Sequence, residues 1–224
     1  MFNNKIKILA LIFVWMVFYE CISLCGNSLN IFIKILLLLT YDVLLILYLF
    51  RKGCAEEIGL CRMARGTNIL LMLPFLVFPI YNLYLSGFRF AGGGTIFLML
   101  TVCTAEEIFF RGIIPNMFKS KKYGLWLSAV IFGLAHAVNL QQYEVGFVIV
   151  QIISAFSAGL AYGALTLKSH SLLPALLFHF MTNVSAGSAE PNIQGLSLCA
   201  AVYIGYSMIY LKIFKREKEN EILH

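Results

Sequence analysis

Apolar runs separated by short polar breaks recur from one end of the chain to the other. Runs long enough to cross a bilayer predict helices over residues 6–25, 28–50, 68–86, 94–114, 123–140, 145–167, 171–187 and 195–213. The breaks carry Gly26-Asn27-Ser28, Ser86-Gly87, Gly92-Gly93-Gly94 and Glu190-Pro191-Asn192, residue types that end helices and form turns. The pattern predicts an all-α fold, a polytopic transmembrane helical bundle of about eight helices. It divides into N-terminal transmembrane helices (1–93), a core of four helices (94–187), and a last transmembrane helix with a basic tail (188–224). In the sixth helix Ala155, Gly159 and Gly163 recur every fourth residue, spacing that lets a neighbouring helix approach closely.

Composition excludes a soluble domain. The 224 residues are 60% hydrophobic and 12% charged, against about 25% charged in a soluble protein. The net charge of +6 reads as a topology signal and gives no ground for a nucleic-acid partner. With a cytoplasmic N-terminus, the cytoplasmic segments hold Lys5 and Lys7; Arg51, Lys52, Arg62 and Arg65; Lys119, Lys121 and Lys122; Lys168; and Lys212, Lys215, Arg216 and Lys218. Only Arg89 falls in an outer loop, and Lys34 and Arg111 lie within helices. Basic residues gather on the cytoplasmic side of membrane proteins, so both termini are expected there. A cleaved signal peptide is the competing reading of residues 1–25. Glu20 and the poorly matching Leu24-Cys25 stand against it. The six cysteines are scattered, without a C-x-x-C pair, so neither a zinc finger nor a disulfide framework is supported.

Ionisable residues inside the helices carry the chemistry. Each costs about 2.5–3.5 kcal/mol at a helix centre, and function is the default reading. They are Glu20, Lys34, Asp42, Glu106, Glu107, Arg111, His136 and His179. Glu20 and Lys34 lie near helix ends, from which long side chains reach the interface. Counted from the nearest cytoplasmic lysine at about 1.5 Å per residue, Glu106, His136, His179 and Asn183 lie at depths of roughly 20, 21, 16 and 22 Å. A carboxylate, two imidazoles and an amide thus share one slab of the membrane. Glu107 and Arg111 are four apart and share a face, where they can neutralise each other. Glu106 points about 100° away from Glu107 and is left for another task. Asp42 is a second expected partner for Arg111. Phe132 lies one turn before His136, as an aromatic wall beside it. A carboxylate held beside an imidazole in a poorly hydrated site can act as a general base on water near neutral pH. The tetrapeptide AEEI also occurs at 55–58, where Glu56 and Glu57 read as a solvated charge pattern.

Glu106-Glu107-x-x-x-Arg111, Phe132-x-x-x-His136 and His179-x-x-x-Asn183, in this order, resemble the three motifs of the CAAX-protease and bacteriocin-processing family (CPBP, or Abi). The resemblance covers about residues 94–184, and Gly159 to Asn183 reads like the family's last two core helices. It makes 94–187 the catalytic core and implies an intramembrane endopeptidase. Carried over, Glu106 and His136 would activate water, His179 and Asn183 would donate to the oxyanion, and Glu107 and Arg111 would support the helix. The expected partners are a membrane-associated peptide or protein substrate and the lipid bilayer. The expected location is a cell membrane, the plasma membrane of a bacterium. No cofactor is favoured. Zinc is the alternative, held by Glu106, His136 and His179. The rival functions are a transporter or proton relay and a non-enzymatic immunity or scaffold protein.

Overall fold

The computed structural model describes residues 14, 18, 22, 30–60, 69–89, 91–187 and 192–221, the side chains of 69, 71 and 211–221 excepted. The expected first helix (6–25), Glu20 and the signal-peptide alternative lie outside the described residues, apart from helical positions 14, 18 and 22. Seven helices follow: α1 (Ile31–Arg51), α2 (Val77–Leu85), α3 (Gly93–Glu107), α4 (Lys121–Ala135), α5 (Val145–Ser169), α6 (Leu173–Ala186) and α7 (Ile193–Glu221). A 3-10 segment (Ile69–Leu76) leads into α2, and another (His136–Gln141) continues α4. Among the described residues there is no strand.

Helix ends follow local chemistry. The Asn30 side chain accepts from the Phe32 amide at 2.9 Å and starts α1, and Ser120 accepts from the Tyr123 amide and starts α4. Asn192 accepts from the amides of Gln194 and Gly195 and starts α7. Such caps satisfy amides that have no partner within the helix. His170, in the left-handed region at φ 52°, stops α5, and Pro174 opens α6 where its missing N–H costs nothing.

The bundle is embedded in a membrane. Among the described residues four segments are long and apolar enough to cross one: Ile31–Arg51, Lys121–Gln141, Val145–Ser169 and Ile193–Tyr210. Helix α1 shows why. It buries a stripe of Leu38, Asp42, Leu45 and Leu49 and exposes Phe32, Leu36, Leu44 and Phe50 on its other faces. Water would penalise such an exposed apolar surface, and lipid does not.

Helix α5 is central, packing mainly on α4 and α7. The small-residue stripe on α5 meets α4 as expected. A Cβ added at Gly159 would lie 3.0 Å from the Ala129 Cα, and one at Gly163 would lie 2.8 Å from Leu125 Cδ1. Close packing here brings Phe132 of α4 and Tyr162 of α5 against the same imidazole, that of His179.

Candidate active site

The site begins with a disturbance in a helix. After Glu107 the α3 helix widens into a π-turn over Ile108–Ile113 and ends with a last turn, Ile114–Asn116. Pro115 has no N–H to give to the preceding turn and would clash with it in a regular helix. The wider turn relieves that clash and frees carbonyls. The Ser128 hydroxyl donates to the Phe110 carbonyl, and the Asn116 amide donates to the Gly112 carbonyl at 2.6 Å. Such π-turns occur frequently at functional sites, and this one starts directly after the paired glutamates.

Both glutamates reach one imidazole. Glu107 Oε1 lies 2.8 Å from His179 Nδ1, and Glu106 Oε2 lies 3.5 Å from His179 Nε2. The two carboxylates, although about 100° apart on the helix, thus both reach His179. The rotation of about 100° between neighbouring residues carries the two carboxylates to opposite nitrogens of the same ring. Glu107 also pairs with Arg111 as expected, Nε to Oε2 at 3.4 Å. Glu107 and Arg111 are buried, at 1% and 4% exposure. An ionised carboxylate only accepts hydrogen bonds, so the Nδ1 proton of His179 is donated to Glu107. Nε2 is then the nitrogen that faces Glu106 and Asn183.

Asn183 closes the group. Its Nδ2 lies 3.3 Å from His179 Nε2 and donates to the Cys103 sulfur at 3.4 Å. Glu106, His179 and Asn183, from two helices, thus converge. His136 joins through Phe132. It shares a 2.9 Å hydrogen bond with the Phe132 carbonyl, and the rings of His136 and His179 stand edge-on to the Phe132 ring at 5.1 and 5.7 Å. The guanidinium of Arg111 lies 4.2 Å from the same ring, a cation–π contact. Phe132 therefore contacts both imidazoles and also the arginine. Among the described residues Asp42 makes no ion pair with Arg111, whose place is taken up by Glu107 and Phe132.

Two neighbours were not expected from the sequence. Cys103 lies three residues before Glu106 and so on the same helical face. Tyr162 stacks on His179 at 5.5 Å, and its hydroxyl meets Thr182 at 3.1 Å and Tyr203 at 3.3 Å. A tyrosine in an apolar helix needs such a partner, which was the available signal.

Among the described residues those that could hold a metal ion are Cys103, Glu106 and His179, whose ligand atoms lie within 4.8 Å of one another. This donor set suits zinc and leaves a coordination position for water. His136 is not among the three.

Residues 89–185, which include every residue of this cluster except Tyr203, match the family described as type II CAAX prenyl endopeptidase Rce1-like. No curated protein and no solved structure is similar to the chain at a significant level. Across that stretch the chain is similar to the Rce1-like CAAX endopeptidases, a family of peptide-bond hydrolases.

Proposed function

We propose that the chain is an intramembrane endopeptidase that hydrolyses a peptide bond in a membrane-associated peptide or protein by water activated at Glu106. The observation that carries this reading is the convergence of Glu106 Oε2 and Asn183 Nδ2 on His179 Nε2, at 3.5 and 3.3 Å. A base, a proton carrier and an amide donor within hydrogen-bonding reach of one point are what water attack on a carbonyl requires.

In the proposed reaction Glu106, assisted by His136, takes a proton from water as the hydroxide adds to the scissile carbonyl carbon. The negative charge on the carbonyl oxygen is met by the Asn183 amide. Glu107 fixes the His179 ring through Nδ1 and leaves Nε2 for the reaction. A proton passed from Glu106 to Nε2 makes this nitrogen a donor, first to the oxyanion and then to the departing amine. Collapse of the tetrahedral intermediate breaks the C–N bond and releases a carboxylate and an amine. Arg111 balances the charge of Glu107 throughout. Where a metal is bound, Cys103, Glu106 and His179 would hold it, and it would supply Lewis-acid polarisation. The route above uses the chain's own groups.

We place the activity in a bacterial plasma membrane, in maturation of a peptide bacteriocin or in self-immunity. The support is compositional: a chain rich in Ile, Leu, Phe, Lys and Asn points to an AT-rich bacterial genome, where prenylated substrates are not expected. Membrane peptidomics of cells carrying the wild type or Glu106→Gln tests the reading. Specific peptides should be lost, and their precursors should accumulate, in the variant. An unchanged peptide set would remove the protease assignment.

A further inference from the structure

A second site lies at the end of the bundle where the basic residues cluster. A cavity of about 540 Å³ is enclosed by the loop after α1, the last turn of the 93–116 helix, the start of α4 and the C-terminal parts of α5 and α7. Arg111, Lys119, Lys121 and Lys122 line it, against Glu56 and Glu57. The two glutamates are exposed.

Two independent features of this cavity ask for an anion. The first is the start of α4. A helix N-terminus carries partial positive charge and favours acidic residues, but the first turn of α4 has none and holds Lys121 and Lys122 instead. Like charges therefore accumulate at a place built for an anion. The second is buried polar groups in the wall. Arg111 and Thr166 are 4% and 7% exposed, and Arg111 Nη1 and Nη2 and Thr166 Oγ1 have no hydrogen-bond partner among the described residues. Leaving buried donors unmade is costly, and a ligand that accepts from them removes the cost. The Asn116 amide nitrogen is fixed on the Gly112 carbonyl, and its Oδ1 has no partner. That oxygen, like Glu56 and Glu57, is an acceptor suited to hydroxyl groups.

We propose that this cavity binds a phosphate group, supplied by the headgroup of an anionic, hydroxyl-bearing phospholipid of the adjacent leaflet. The phosphate oxygens accept from Arg111, Thr166 and the lysines, and the headgroup hydroxyls donate to Asn116 Oδ1 and the glutamates. Basic pockets between transmembrane helices bind anionic headgroups in this way. The site is separate from the hydrolytic one, but Arg111 stands in the wall of one and against Glu107 of the other.

The test is native mass spectrometry of the detergent-purified full chain, titrated with phosphatidylglycerol, phosphatidylcholine or inorganic phosphate. Wild type should retain one phosphatidylglycerol roughly tenfold more tightly than phosphatidylcholine. Replacing Lys119, Lys121 and Lys122 by Gln together should weaken it roughly 100-fold, at about a fivefold loss for each surface cation. Replacing all three by Arg should preserve binding, which separates loss of charge from loss of fold. Displacement of phosphatidylglycerol by millimolar inorganic phosphate identifies the phosphate as the recognised group. Saturation by inorganic phosphate with no binding of phosphatidylglycerol makes free phosphate the source and overturns the lipid assignment. Equal retention of phosphatidylglycerol by the wild type and the Gln variant overturns the site itself. Peptidase activity is not read, so failure here leaves the proposed function standing.

Discussion

Replacing Glu107 by Gln isolates what the buried charges contribute. The substitution keeps the shape and keeps an oxygen that can accept from His179 Nδ1, but it removes the negative charge. Arg111, 4% exposed and paired at 3.4 Å with Glu107, then has lost its counter-ion. An exposed pair would be worth about 0–1 kcal/mol, whereas removing one partner of a buried pair costs about 3–5 kcal/mol. The burial of both groups decides for the larger figure. One feature of Arg111 moderates it: the guanidinium keeps its Phe132 contact at 4.2 Å, worth about 0.5–2 kcal/mol. The expected loss is therefore about 3 kcal/mol. Reversible unfolding in mixed micelles, followed by circular dichroism, measures it. Glu107→Gln with Arg111→Met removes both charges and should recover most of the loss, because apolar replacement of a buried pair is often neutral. A single variant as stable as the wild type, or a double variant no better than the single, would refute this reasoning.

Three further outcomes follow from the geometry. Thorough chelation of the purified protein should leave peptidase activity intact; loss on chelation with rescue by zinc would assign the role of Cys103, Glu106 and His179 to metal binding instead. Gly124→Ala should destabilise the bundle by about 1–3 kcal/mol, because its Cβ would sit 2.7 Å from the Pro115 Cα, while Gly146→Ala, with nothing within 4 Å, should not; equal unfolding of the two variants would contradict the packing of α4 on the 93–116 helix. Tyr162→Phe removes the contacts to Thr182 and Tyr203 but keeps the ring on His179, so stability should fall by about 0.5–1.5 kcal/mol with a smaller effect on cleavage. A cleavage rate that collapses while stability holds would give the hydroxyl a direct part in the chemistry.

Much of this arrangement was legible before any coordinates, and its limits are physical. Helix length and apolar periodicity are local properties, so the predicted spans from 28–50 onward agree to within a few residues with the observed helical segments once their 3-10 and π stretches are counted, except for α7, which extends to Glu221. Pairs four residues apart are local as well, which is why Glu107–Arg111 and His179–Asn183 meet as the spacing implies. The contact between Glu107 and His179 spans 72 residues. It depends on how α6 packs on α3, and no periodicity encodes that. Glu56 and Glu57 illustrate the same limit. Their exposure agrees with a solvated charge pattern, but the basic groups that share a cavity with them come from distant helices.

The central claim is that Glu106 acts as the base on the attacking water. The most direct measurement is the rate of peptide-bond cleavage by the Glu106→Gln protein reconstituted in liposomes, beside the wild type. Glu106 is 18% exposed and lies 3.5 Å from His179, so the fold should survive the change. The account predicts cleavage reduced by about 10²–10⁴-fold, the usual contribution of a general base, with unfolding unchanged. Cleavage close to the wild-type rate in a folded variant would contradict it.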